Sequence, residues 1–222
     1  AYFGAGPAAI DDAALDRLRH GAAIKVKIGR APAAEERRML ERILRDIPDT
    51  RLRLDGNRGM RLDDCVALVR GLPVARIEYL EEPVADPSDL GRLRDRTGID
   101  VALDELVLEA SAEARDLRDR LGAGGGACAW VIRLSRVGSL DEVRRTMRIA
   151  ASRGCDPVLS TAYESSWTIR LAAHLARSMD ATGRPHGLGT ADVLEADACV
   201  PATLASGCVP CGPLPVPLEG RW

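Results

Sequence analysis

Short apolar runs alternate with longer amphipathic stretches along the whole chain. The runs predict strands at 2–4, 24–28, 52–55, 77–80, 101–103, 130–133 and 157–160, and a thinner apolar signal predicts one at 186–189. Between them, apolar positions recur at the helical spacing of about 3.6 residues. One such stretch, 32–45, carries Pro32 in its first turn and puts Met39, Ile43 and Leu44 on one face. Two more cover 63–70 and 140–151, the second behind a capping Ser139 with Glu142 three residues on. Gly71, Gly98 and Gly154 stand where helices should stop.

The ends of the predicted strands are evenly spaced. Lys27, Asp55, Glu81, Asp104, Arg133 and Ser160 each end a strand, 23 to 29 residues apart. A strand, a helix and two turns take about that many residues. Eight such units fill 222 residues, which predicts an α/β chain folded as a (β/α)7β TIM-like barrel instead of a doubly wound open sheet. Neither GxGxxG nor GxxxxGK[ST] occurs, and Gly124-Gly125-Gly126 precedes a strand, so it reads as a loop. No linker divides the chain, so residues 1–222 form one predicted domain, with the Pro-rich end at 209–217 as an extended tail. Ala1 is not a methionine and the first strand starts almost at once, as in a piece of a longer chain.

Composition narrows the function classes. With 46% hydrophobic residues the chain can build one substantial core, and charges of both signs leave a net charge of only -2. That balance predicts no nucleic-acid surface, and no apolar run approaches the roughly 18 residues that cross a bilayer. A soluble cytoplasmic protein is expected. Cys65, Cys128, Cys155, Cys199, Cys208 and Cys211 are scattered through a chain too long to need a disulfide framework. Only Cys208-Val-Pro-Cys211 has ligand-like spacing, and without a second pair it reads as a pair of ordinary thiols.

Chemistry gathers at the strand ends, because a parallel barrel opens all of them onto one face. Alternation puts Lys25 and Lys27 on the same side of strand two, pointing into the mouth. The next three strands end in Asp55-Gly-Asn57, Glu81-Glu82-Pro83 and Asp104-Glu105. Each element alone would be a solvated strand end. Three carboxylates on consecutive strands, beside a lysine pair, are different, because that much buried like charge needs a cation. Oxygen-only ligands suit Mg²⁺, with Mn²⁺ as a replacement.

The succession KxK, DxN, EEP and DE on neighbouring strands resembles the enolase superfamily. In that family a divalent metal holds a substrate carboxylate and stabilises the negative charge formed when the α-proton leaves. The resemblance implies Asp55, Glu81 and Asp104 as metal ligands, with Glu81 chosen over Glu82 because it precedes the Glu-Pro pair. It implies Lys27 as the base, Lys25 as its electrostatic partner and carboxylate binder, and Asn57 as a supporting residue. Trp130-Val-Ile-Arg-Leu-Ser-Arg-Val-Gly-Ser-Leu140, Leu159-Ser-Thr-Ala-Tyr-Glu-Ser-Ser-Trp167 and His186-Gly-Leu-Gly-Thr-Ala-Asp192 resemble the o-succinylbenzoate synthase family within it. Such lyases remove water from a succinyl-hydroxycyclohexadiene carboxylate on the route to menaquinone. Ser160, Thr161 and Gly187 would then lie around the succinyl arm of this small carboxylate substrate.

Two features depart from the family. Where the family has a lysine near the end of strand six, this chain has Arg133, which keeps its proton at ordinary pH. It cannot serve as a second base, which speaks against N-succinylamino acid racemase or dipeptide epimerase activity, while a one-base dehydration needs only a cation there. Family members also carry a capping domain ahead of the barrel, and this chain begins at the first barrel strand. The alternatives are therefore another activity of the superfamily, acid-sugar dehydration included, or a barrel whose catalysis is impaired.

Overall fold

The computed structural model describes residues 2–3, 6–122, 124–178, 184–190, 194–202 and 208–214. Seven parallel strands lie in sequence order in one sheet: β1 (Tyr2–Phe3), β2 (Ile24–Lys27), β3 (Leu52–Asp55), β4 (Ile77–Glu81), β5 (Val101–Leu103), β6 (Ala127–Arg133) and β7 (Asp156–Ser160). Helices α1 (Asp12–Arg19), α2 (Ala33–Asp46), α3 (Leu62–Val69), α4 (Leu90–Thr97), α6 (Ala112–Leu121) and α8 (Leu140–Ser152) connect them. The short α5 (Glu105–Leu108) and α7 (Leu134–Val137) follow β5 and β6 directly, and α9 (Ser166–Ser178) follows β7. This is the α/β barrel architecture that the strand spacing predicts.

The local rules hold with small shifts. Pro32 is extended, with ψ 133°, so it precedes α2 as the capping residue instead of sitting inside the first turn. The buried stripe of α2 includes Met39, Leu40, Ile43 and Leu44. The Ser139 hydroxyl accepts the Glu142 N–H at 3.2 Å and caps α8. Gly98 ends α4 with φ 69°, the left-handed region that glycine enters without strain. Strand β6 starts at Ala127, three residues earlier than its apolar run suggests, because Ala127 and Ala129 are small and weakly apolar. Gly4, Asp192 and residues 215–217 of the Pro-rich end lie outside the described residues.

Alternation divides the core in two. Ile24, Val26, Leu52, Leu54, Leu80 and Leu103 point outward and pack under the helices in one large cluster. The barrel interior holds a small second cluster of Tyr79, Ala102, Ala129, Val131 and Val158. Below it, Arg53 lies 5.0 Å over the Tyr79 ring and donates to Glu78 at 2.6 Å. Arg184 continues this chain of charges to Glu78 (3.3 Å) and Asp156 (2.5 Å). Irregular register in β3–β4 and β5–β6 falls on the same lower level. Among the described residues, no helix is long and apolar enough to cross a membrane.

The predicted eighth strand takes the form of a single parallel bridge, Ser160 to Gly187. Hydrogen bonds from β7 and from Gly187 itself hold it, among them Gly187 N to Leu159 O (2.8 Å), Thr161 N to Gly187 O (3.0 Å) and Leu159 N to His186 Nδ1 (3.0 Å). The last requires an unprotonated Nδ1, and burial, helped by the Arg53 charge, lowers the His186 pKa. The unfolded chain therefore takes up this proton first, near the ordinary value of about 6.5. The stability that this histidine contributes should be complete above about pH 7 and fall as the pH drops through that range toward its lowered native value, while the raised Asp104 carboxyl acts in the opposite sense. His186→Asn keeps an acceptor in place of Nδ1 without titrating. Measured by urea unfolding at about pH 7.5 and 5.5, the stability of His186→Asn relative to the wild type should rise at the lower pH; a difference that does not change with pH would remove His186 from the account.

Candidate active site

Register sets the site. Lys27 pairs with Asp55, and Asp55 with Glu81, so three neighbouring strands present charged side chains at one level of the mouth. Asp104 follows the last residue of β5 and Arg133 ends β6 opposite Ser160. Lys25 lies one interior position below Lys27, level with Arg53.

The side chains at these strand ends lie together, each carboxylate against a cation. Lys25 Nζ lies 2.7 Å from both Asp55 Oδ2 and Glu81 Oε1. Lys27 Nζ lies 2.5 Å from Asp55 Oδ2 and also donates to Asn57 Oδ1. The guanidinium of Arg133 is paired with Asp104 and reaches within 3.9 Å of Glu81 Oε1. Each of the three carboxylates thus faces a cationic side chain. In this arrangement, no group of three metal-binding side chains stands at ligand spacing among the described residues.

Burial and charge perturb these groups strongly. Burial opposes the charge of Lys25, but Glu81 and Asp55 outweigh it and hold the ammonium well above its ordinary value. Burial likewise opposes the Asp55 charge, and the two lysines more than offset it, keeping that carboxyl below the usual range. Glu81 goes the other way. Its complete burial and the nearby Asp55 prevail over Lys25 and raise its carboxyl. Asp104 is pushed up to about 8 by burial and the Glu81 charge, which the Arg133 guanidinium only partly relieves. One Glu81 oxygen, Oε2, is buried without a hydrogen-bond partner.

The two glutamates of the Glu-Glu-Pro run separate cleanly. Glu82 is 0% exposed and turned away from the mouth. Its Oε1 accepts the N–H groups of Asp104 (2.7 Å) and Leu106 (2.8 Å), and its Oε2 takes Arg58 Nε at 2.5 Å. It therefore fixes the backbone that carries Asp104. Sequence reasoning missed this role, since adjacent glutamates carry no sign of which way each faces until the strand's phase is known. It also missed Glu105, which accepts from Asn57 Nδ2 at 3.4 Å, and Glu36, whose carboxylate anchors the turn after Lys27.

Ser160, Thr161 and Gly187 lie together where β7 meets the last bridge, and they line the same cavity as Lys25, Lys27, Glu81 and Arg133. A Cβ on Gly187 would stand 3.0 Å from Ser160 Oγ, so the close approach of the two segments favours glycine there. Thr161 Oγ1 donates to Gly187 O at 3.1 Å and lies 2.8 Å from Thr190 Oγ1. All six cysteines are free, and Cys208 and Cys211 are exposed.

Comparison with known proteins agrees with this geometry. Residues 9–206 match the family model described as "Enolase C-terminal domain-like". The o-succinylbenzoate synthase of Enterobacter sp. (strain 638) is 33% identical over 174 residues, which is 77% of this chain and 52% of that protein. The chain spans about half the length of the curated relatives it matches. Among solved structures, a mandelate racemase/muconate lactonizing enzyme from Roseiflexus sp. superposes with a TM-score of 0.77 at 25% identity, covering 93% of this chain and 59% of that one. The L-Ala-D/L-Glu epimerase of Bacillus subtilis gives 0.76 at 22% identity, over 93% of this chain and 58% of that one, and speaks for the fold alone. With its parallel barrel, its lysine pair and its carboxylates on consecutive strand ends, the chain belongs to the enolase C-terminal domain-like family, and within the enolase superfamily it is o-succinylbenzoate synthase-like.

Proposed function

We propose that the chain is the barrel of an o-succinylbenzoate synthase, a hydro-lyase acting on a succinyl-hydroxycyclohexadiene carboxylate in menaquinone biosynthesis. The observation that carries this reading is the lysine pair bound to Asp55 and Glu81 beside Arg133, in a chain whose curated relatives are o-succinylbenzoate synthases.

Asp55, Glu81 and Asp104 would hold Mg²⁺ or Mn²⁺. The donor set is all oxygen, and Glu81 Oε2 is buried without a partner. When bound, the metal supplies a positive charge against which the ring carboxylate can become more negative. The remaining work falls to side chains of this chain. Lys25 binds the ring carboxylate from below. Lys27, oriented by Asp55 and Asn57, takes the proton from the carbon next to that carboxylate. The C–H and C–O bonds break, a C=C bond forms, and Lys27 returns the proton to the departing hydroxide on the same face, giving water. Arg133 stays protonated and stabilises the developing negative charge from the other side. Ser160, Thr161 and Gly187 surround the succinyl arm.

Assayed with its native flanking sequence, the protein should dehydrate this substrate only with Mg²⁺ present, and EDTA should abolish turnover. Lys27→Ala should lower kcat by about a thousandfold or more, as expected for loss of a base that acts in both proton transfers; near-normal turnover in that variant would overturn the assignment.

A one-base site also makes a stereochemical prediction. Incubated with the two enantiomers of an N-succinylamino acid in D₂O, the protein should exchange the α-proton of at most one of them. Exchange of both, followed by NMR, would show a second base and redirect the reading toward racemisation.

A further inference from the structure

The cationic side chains lining the barrel cavity fall into two groups. Lys25, Lys27, Arg53, Arg133 and Arg184 are each paired with a carboxylate. Arg17, Arg30 and Arg177 line the same cavity and have no ion pair or side-chain hydrogen bond among the described residues. Arg17 and Arg177 sit in the last turns of α1 and α9, at the end of the barrel where strands begin. Arg30 sits three residues beyond Lys27, at the end where strands finish. Within the described cavity lining, it is therefore the unpaired guanidinium on the side of the candidate catalytic groups.

The turn that carries Arg30 is held with unusual care. Glu36 reaches back from α2, with Oε2 accepting Gly29 N at 2.9 Å and Oε1 accepting Arg30 N at 2.7 Å and Ala31 N at 3.1 Å. Its carboxylate is 1% exposed and takes these three backbone donors in place of a cationic side chain. Burying a carboxylate is costly unless hydrogen bonds compensate it, and here they converge on one turn. Gly29 adopts φ 76°, and a Cβ there would come within 2.7 Å of Met60 Cγ, so the turn is also sterically defined.

We infer that Arg30 takes the distal carboxylate of a dicarboxylate substrate, on a turn fixed in advance by Glu36. The inference rests on the proposed dehydration. A substrate whose ring carboxylate lies at Lys25 and the three acidic residues still brings a second negative charge into the cavity. The paired cations already have carboxylate partners, whereas the Arg30 guanidinium keeps its donors free for a two-point contact. A fixed turn lowers the ordering cost of that contact, which is what preorganisation contributes to affinity.

The test compares o-succinylbenzoate with 2-butanoylbenzoate, which has a methyl group where the former has its terminal carboxylate. Both are titrated calorimetrically into the Mg²⁺-loaded protein. Wild type should prefer the dicarboxylate. Arg30→Ala should weaken that ligand by about 10- to 100-fold and leave the monocarboxylate unchanged, as expected for loss of a charge-assisted contact. Arg30→Lys should recover part of the preference, Glu36→Gln should lose part of it, and the melting temperature of Arg30→Ala should match wild type. An undiminished preference in Arg30→Ala overturns the role of Arg30 and leaves the dehydration reading intact. A wild type that binds neither ligand would defeat that reading and this inference together.

Discussion

Alternation along parallel strands sends every second side chain into the barrel, and at the mouth those side chains are charged. Lys25, Lys27, Asp55, Glu81, Asp104 and Arg133 consequently share one partly desolvated volume, where charges interact far more strongly than in water. Everything around the site is arranged to make that crowding tolerable. The large hydrophobic cluster lies outside the strands, under the helices, and leaves the upper interior to polar groups. A smaller chain of charges, Arg53 to Glu78 to Arg184 to Asp156, occupies the lower end and ties the segment bearing Gly187 to β4 and β7. Breaking one partner of such a buried chain costs more than the pair contributes when intact, because it strands the other charge.

The acidic residues near the mouth divide into two kinds. Asp55, Glu81 and Asp104 face cationic side chains at the mouth, with the Glu81 and Asp104 carboxyls held high by burial. Glu36 and Glu82 are as deeply buried but accept backbone N–H groups, three for Glu36 and two for Glu82, with Arg58 on the other Glu82 oxygen. They do for two active-site turns what a helix cap does for a helix end: they satisfy donors that have no other partner and so fix the chain. One set carries the proposed chemistry, and the other fixes the turns beside it.

Much of this was legible in the sequence, for a reason. A parallel barrel repeats one strand and one helix at nearly constant length, so strand ends such as Lys27, Asp55 and Glu81 could be located from apolar runs alone, and their shared face follows from topology. The choice of Glu81 over Glu82 rested on resemblance, and the interior phase of β4 turns Glu81 to the mouth and Glu82 away from it. What stayed hidden lacked a periodic signal. A first-turn glutamate such as Glu36 usually faces solvent as a partner of the helix dipole, and nothing in its neighbours announces that it folds back onto residues 29–31. The last barrel segment was thin as a strand because it is tied by one bridge and a histidine ring instead of a ladder.

Arg133 bears on the proposed chemistry because it is a cation that keeps its proton. A lysine there could exchange its proton, so both faces of a substrate carbon would be open to attack. A guanidinium cannot, yet it keeps the positive charge that Asp104 and Glu81 require beside them. On the proposed reading, Arg133 leaves the site a single base while keeping its charge beside Asp104 and Glu81. That asymmetry fits a reaction that needs proton transfer on one face only. The two arginines at the mouth also differ in their partners: Arg133 is paired with Asp104, whereas the Arg30 side chain has no ion pair among the described residues. On the proposed reading the paired cations hold the site together and meet the ring carboxylate, while the unpaired Arg30 is left for the second charge of the ligand.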